Sequence, residues 1–183
     1  MPAAAPSSWK RLTLAFGNAV LWYPTALKPI KGDASSVSAA EYDGKGNILA
    51  DLNAMPRQGP ETVGAWPAFR VQRLRAESAV SVRVVAQASN LPFCGGRGSC
   101  VLDDYVTRIG HHRYSEIVCF VEGRRAASVI VAAAPQSDWT SVSGELQRVT
   151  SHTRHGDNQA GNRPQTDHDA ESCRHPSFAA WAL

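Results

Sequence analysis

Apolar residues recur along this chain at strand and helix spacings as far as Val149, and beyond it the polar residues take over. Trp9, Leu12 and Leu14, then Val20 and Trp22, read as two short strands ending at Pro24, with Gly17-Asn18 as the turn between them. A loop punctuated by Pro and Gly covers residues 25–33. Residues 37–42 and 48–54 flank the turn Asp43-Gly44-Lys45-Gly46-Asn47 and predict a hairpin. Pro60 and Glu61 open a helical stretch with Val63, Trp66, Phe69 and Leu74 on one face. Pro67 must kink it or begin a second segment, so a bent or two-part helix ending near Ser78 is expected. Residues 80–88 are Val-rich and alternate in part, as a half-buried strand does.

Residues 100–121 are the most informative stretch, because their halves mirror each other about a turn at Ile109-Gly110. Folding there sets Cys100 opposite Cys119 and Tyr105 opposite Tyr114. Side chains alternate across a strand, so one face should carry Cys100, Leu102, Val106, Ile117 and Cys119. The other should carry Asp103, Tyr105, Thr107, His112, Tyr114 and Glu116, giving one apolar and one wet face. A second turn at Glu122-Gly123-Arg124-Arg125 leads into residues 127–134, apolar enough for a sheet centre.

Pro135 stops that strand, and Ser137 or Asp138 can cap a helix carrying Trp139, Val142, Leu146 and Val149 at helical spacing. Residues 150–176 hold no large aliphatic or aromatic side chain. They cannot offset an ordering cost of roughly 1 to 2 kcal/mol per residue. The expected layout is a disordered start over 1–8, an α+β domain over 9–149 and a disordered polar tail over 150–183. Within the domain, an antiparallel meander carries one bent central helix and one C-terminal helix.

Length and charge narrow this little. At 183 residues with 43% hydrophobic, the chain fills one core. Its 19 basic residues are interspersed with 16 acidic ones, which leaves no dedicated nucleic-acid footprint. No apolar run approaches the roughly 20 residues that span a bilayer. Lys10-Arg11 and residues 12–23 have the charge and length of a signal peptide's first regions, but Asn18 interrupts them and no small-x-small cleavage site follows.

Several segments together are similar to a known group. They are Pro6-Ser7-Ser8-Trp9, Leu52-Asn53-Ala54-Met55-Pro56-Arg57-Gln58-Gly59, Trp66 with Phe69-Arg70, Gly98-Ser99-Cys100-Val101 with Asp104 and Tyr105, Glu116-Ile117-Val118-Cys119, and residues 129–135 with Trp139. In that order they resemble an uncharacterised family of actinobacterial exported proteins and lipoproteins with a PsbP-like domain, related in fold to the extrinsic subunits of photosystem II. The resemblance covers most of residues 6–149. It implies a PsbP-like fold, export to the cell envelope and a binding or accessory role, and it carries over no catalytic residue. It also implies a leader and first strand upstream of residue 6, so a truncated start is a further reading, and membrane association is expected only through such an upstream anchor.

Cys100 and Cys119 are the leading candidates for chemistry. Directly opposed residues in an antiparallel pair lie within reach of a disulfide, which forms in an oxidising compartment and stays as buried thiols in a reducing one. Cys94 competes for Cys100 across the loop Gly95-Gly96-Arg97-Gly98-Ser99, and four cysteines allow three full pairings. That loop has the glycines of a phosphate nest but no following helix or Lys-Ser/Thr end, so a flexible connection is expected. Ser99 lacks the last glycine of a nucleophile elbow, since Val101 stands there.

Asp103 facing Glu116, between Tyr105 and Tyr114, reads as a polar binding patch or as an acid/base pair, with Arg83 as a partner from a neighbouring strand. His111 and His112 at the hairpin tip point to opposite faces and are expected to be solvated. His152, His155, His168, Cys173 and His175 match no structural zinc spacing. These readings lead to a non-catalytic extracytoplasmic accessory or binding domain without cofactor or metal, whose partner is an envelope protein or a small ligand. The alternative is a small hydrolase or transferase using Asp103 and Glu116 or a reactive Cys94.

Overall fold

Alternating side chains turn the predicted runs into strands, and the near-continuous apolar run takes the middle of the larger sheet. The computed structural model describes residues 5–14, 19–30 and 35–155. In chain order the elements are β1 (Lys10–Leu14), β2 (Ala19–Tyr23), β3 (Lys28–Ile30), β4 (Val37–Tyr42), β5 (Ile48–Pro56), α1 (Trp66–Glu77), β6 (Ala79–Phe93), β7 (Gly96–Thr107), β8 (Arg113–Gly123), β9 (Ala127–Pro135), α2 (Trp139–Ser151) and β10 (Arg154–His155). The fold is α+β: a seven-stranded antiparallel sheet ordered β3-β4-β5-β9-β8-β7-β6 and a three-stranded one ordered β1-β2-β10. The expected meander is β6 to β9, and β9 lies at the centre of the sheet. No helix among the described residues is long and apolar enough to cross a membrane.

Both faces of the large sheet are covered. On one, α2 and the small sheet enclose Leu14, Leu21, Leu52, Cys100, Ile117, Cys119, Ile130, Leu146 and Val149. On the other, α1 and the segment before it pack Val63 and Trp66 onto Val101, Val118, Phe120 and Val129. Two hydrogen bonds pin that cover: Trp66 Nε1 donates to the Val118 carbonyl (3.1 Å) and Ser99 Oγ to the Val63 carbonyl (2.6 Å).

Several expectations need correction. The helix is a single segment beginning at Trp66, with Pro67 in its first turn, where the missing N–H costs nothing. β3 arises inside the expected loop, with Pro29 tolerated because the strand lies at the sheet edge. The loop after β6 is not a flexible connection: Phe93 pairs with Gly96 and β7 starts at once. That leaves Cys94 and Gly95 as a two-residue turn with Gly95 at φ +80°. β6 forms the opposite edge and slips register at three places, between Ala79/Ser81, Val84/Ala86 and Ala88/Leu91. Such bulges twist an edge away from pairing with another chain.

Order also extends at both ends of the expected domain. The Trp9 amide donates to the Pro6 carbonyl (2.9 Å), closing a turn within the expected disordered start. At the other end α2 runs on to Ser151, with Thr150 Oγ1 donating to the Leu146 carbonyl (3.0 Å). β10 then pairs with β2, and the His155 amide donates to the Cys94 carbonyl (2.7 Å). Helix continuation, strand pairing and burial of His155 together offset an ordering cost that composition alone left unmet. The Gly17-Asn18 turn, residues 1–4 and residues 156–183, with His168, Cys173 and His175, lie outside the described residues.

Candidate functional site: a carboxyl pair under a helix and the groove beside it

The register of β7 and β8 places Cys100 opposite Cys119, Asp103 opposite Glu116 and Tyr105 opposite Tyr114. Cys100 and Cys119 form a disulfide with their Cα atoms 4.1 Å apart. Cys94 is disulfide-bonded too, so it does not compete for Cys100, and no cysteine among the described residues is free.

The expected wet face is not wet along its whole length. Asp103 and Glu116 are 0% and 2% exposed. The same face carries Val101, Val118 and Phe120, and α1 closes over it because those residues need cover. Tyr105 and Tyr114 stay half-buried nearer the tip, stacked with ring centroids 5.6 Å apart.

Arg70, one turn after Trp66 on α1, reaches down to this pair. Its Nε (3.1 Å) and Nη2 both donate to Glu116 Oε1. Arg83, expected as the partner, bonds Asp104 on the opposite face instead. Asp104 also accepts from Ser115 Oγ (2.6 Å). Neither oxygen of Asp103 has a hydrogen-bond partner. Burial first, then the Glu116 charge, pushes its carboxyl up to about 8, against the pull of Arg70. Burial also raises Glu116 while Arg70 opposes that rise. For Arg70, burial works against the charge, but Glu116 outweighs it and holds the guanidinium above its ordinary value. Near neutral pH the proton of the pair therefore sits on Asp103. Burial and then Glu116 raise the Tyr105 phenol as well.

A polar row continues across the sheet from this pair. Asp103 neighbours Glu116, Glu116 neighbours Ala133, and Ala133 neighbours Asp51, whose carboxyl burial also raises. The next rows toward the opposite end are mostly apolar: Val101, Val118 and Val131 with Asn53, then Phe120, Val129 and Met55 with Ser99. Because α1 lies over β6 to β8, the β9 and β5 part of the apolar zone stays half-open. There a groove of about 190 Å³ has Met55, Val129 and Val131 as its floor, and Trp66, Phe69, Arg70 and Arg73 with Gln58 and Glu61 as its wall.

The other candidates separate. His111 and His112 are exposed at the tip. His152 packs edge-on against Trp9, with ring centroids 5.6 Å apart. His155 is buried beside Ser128 and held neutral by burial, which lowers it to about 4. No three His, Cys, Asp or Glu among the described residues converge on a metal position. Arg70 and the groove were missed from the sequence. The available signal was the i, i+4 spacing of Trp66 and Arg70, which sets a cation one turn from the aromatic that faces the sheet.

No known family's sequence profile matches this chain, and neither does any curated protein. Solved structures do. The cyanobacterial PsbP protein CyanoP of Synechocystis sp. PCC 6803 is similar at TM-score 0.58 and 9% identity, over 85% of this chain and 97% of that one. The chain has a PsbP-like fold. LpqN of Mycobacterium tuberculosis, described as involved in cell envelope biogenesis, is similar to this chain at TM-score 0.50 and 10% identity, over 80% and 89% of the two chains. PA94 of Pseudomonas aeruginosa, a protein of unknown function, matches at TM-score 0.51 and 14% identity, over 87% and 100%.

Proposed function

We infer that this PsbP-like chain is a non-catalytic, extracytoplasmic accessory domain that takes an apolar or amphipathic ligand in the groove between α1 and strands β5 and β9. One observation carries the reading: Asp103 and Glu116, the acids that chemistry would need, are sealed beneath α1 with Glu116 bonded to Arg70, while the apolar floor beside them stays open. Pockets that bind small molecules are mostly apolar with a few placed polar groups, and here Arg70, Arg73, Glu61 and Gln58 edge a floor of Met55, Val129 and Val131. The Cys100–Cys119 bond supports an oxidising compartment. The involvement of LpqN in cell envelope biogenesis supports the same setting, as does the sequence resemblance to exported actinobacterial lipoproteins.

The hydrolase or transferase alternative has less support. Cys94 is bonded rather than a free thiolate, and a substrate reaching Asp103 must first displace α1.

The test is binding of anilinonaphthalene sulfonate, an anionic amphipathic fluorophore suited to an apolar floor edged by arginines. Enhanced emission with the native protein, lost in Val131→Trp at unchanged Tm, is expected. No enhancement, or enhancement that survives the filled groove, overturns the ligand site. For location, protein from its native cells, denatured without reductant, should expose no thiol at Cys100 or Cys119. Free thiols there overturn the extracytoplasmic reading.

A further inference from the structure

The chain holds four cysteines. Cys100 and Cys119 are joined to each other, and Cys94 is joined as well. The cysteine left for Cys94 is Cys173, which lies outside the described residues, so the pairing follows from the count of thiols rather than from position. The path of the chain agrees with it. β10 comes soon after α2, the His155 amide donates to the Cys94 carbonyl (2.7 Å), and Arg154 forms a parallel bridge with Cys94. The polypeptide therefore leaves the described fold beside the sulfur to which Cys173 must return. Closing a loop whose ends already share one spot costs only slowly more entropy as the loop lengthens.

The two bonds differ in their surroundings. Cys100 and Cys119 are 0% exposed, in the core that α2 and the small sheet cover. Cys94 stands half-buried in the turn between β6 and β7, next to the exposed Gly95. In thiol–disulfide exchange a thiolate must reach one of the two sulfurs, so the rate follows access, and exposed disulfides are the labile and regulatory ones.

What the Cys94 bond holds is slight by itself. β10 is two residues long and pairs Arg154 with Val20 and His155 with Ala19 on one side, and meets Cys94 on the other. So short a strand has few bonds to keep it closed, although it buries His155 beside Ser128 and links the small sheet to the β6–β7 turn. A covalent tie keeps the segment at high effective concentration beside its partners. Without that tie, local opening becomes easier.

We infer that Cys94 and Cys173 form a second disulfide, and that it is a redox-sensitive latch on β10. Closing it removes two protons and two electrons from the two thiols and passes them to the disulfide of a thiol oxidant, which leaves as a dithiol. A dithiol reductant reverses the exchange through a mixed disulfide with one of the two sulfurs. The buried Cys100–Cys119 bond stays intact through this cycle. The latch stands whether or not a ligand occupies the α1 groove.

The full chain, digested without reductant after blocking of free thiols, should yield one cross-linked peptide pair holding Cys94 and Cys173. In native buffer with dithiothreitol, those two should become open to alkylation at least about tenfold faster than Cys100 and Cys119. Solvent exchange of the His155 amide should quicken about tenfold on reduction and in Cys173→Ser, while the amides of β8 keep their rates. Reduction of the parent gives that readout without any substitution. A free Cys94 thiol in the oxidised chain, Cys94 linked to a second chain, reduction of both bonds at one rate, or His155 exchange indifferent to reduction overturns the inference.

Discussion

The two faces of the seven-stranded sheet share the same strands and differ by one residue of phase. Under α2 and the small sheet every inward position of β7 and β8 from Cys100 to Leu102 and from Ile117 to Val121 is apolar or disulfide-bonded. Under α1 the neighbouring positions change along the strand, from Val101, Val118 and Phe120 to Asp103 and Glu116 and then to Tyr105 and Tyr114. The first face is built for burial alone. The second uses its apolar end to seat a single helix, and that helix encloses two acids that water would otherwise solvate. Burying them without full pairing costs stability, so the second face trades some stability for a pH-responsive interior beside a groove.

That comparison can be broken from either side. The largest loss is expected on the dry face, where Ile117→Ala should cost about 4 kcal/mol in denaturant unfolding at any pH that keeps the fold. Arg70→Met, on the other face, leaves Glu116 buried without its cation and should cost about 3 kcal/mol near neutrality. The deficit should shrink in acid as Glu116 takes up a proton too.

Asp103→Asn reverses the sign. The folded carboxyl titrates at about 8 against an ordinary 3.8. Between those values the unfolded chain binds fewer protons, and native stability falls as pH rises. His155 acts oppositely, since its folded value of about 4 lies below an ordinary 6.5 and its contribution is lost as pH falls through that interval. From these two groups the parent should be level from about pH 4 to 6.5 and decline to about pH 8. The Asn variant should rise over the first interval and stay level over the second, so that its lead over the parent widens continuously up to about pH 8. Parallel stability profiles for parent and variant would contradict the protonated Asp103. Smallest is Arg83→Ala, whose cation is 74% exposed and which should change stability by less than about 0.5 kcal/mol.

Much of the dry face was legible in the sequence because period-two alternation and the symmetry about Ile109-Gly110 fix both face and register. The Cys100–Cys119, Asp103–Glu116 and Tyr105–Tyr114 pairs all follow from that symmetry. The wet face misled because Asp103, Glu116 and the two tyrosines drew attention from Val101, Val118 and Phe120 on the same side. Whether a carboxyl is solvated depends on what packs over it, and α1 comes from outside the hairpin. Arg70 illustrates the same limit, since its target lies 46 residues on in sequence. β10 was unreadable for another reason: two residues with Arg and His carry no strand signal, and their order comes from β2 and Cys94 on either side.

That last strand has a consequence for how the chain is finished. Gly95 lies so close to the His155 carbonyl that an added Cβ would fall 1.6 Å from it, and β2 receives its third strand only from Arg154 and His155. While the polypeptide is still being synthesised or threaded, that edge remains unclosed until the distant segment emerges. Contacts of such long sequence separation form late. The small sheet is therefore completed last, after every strand of the larger one has already been made.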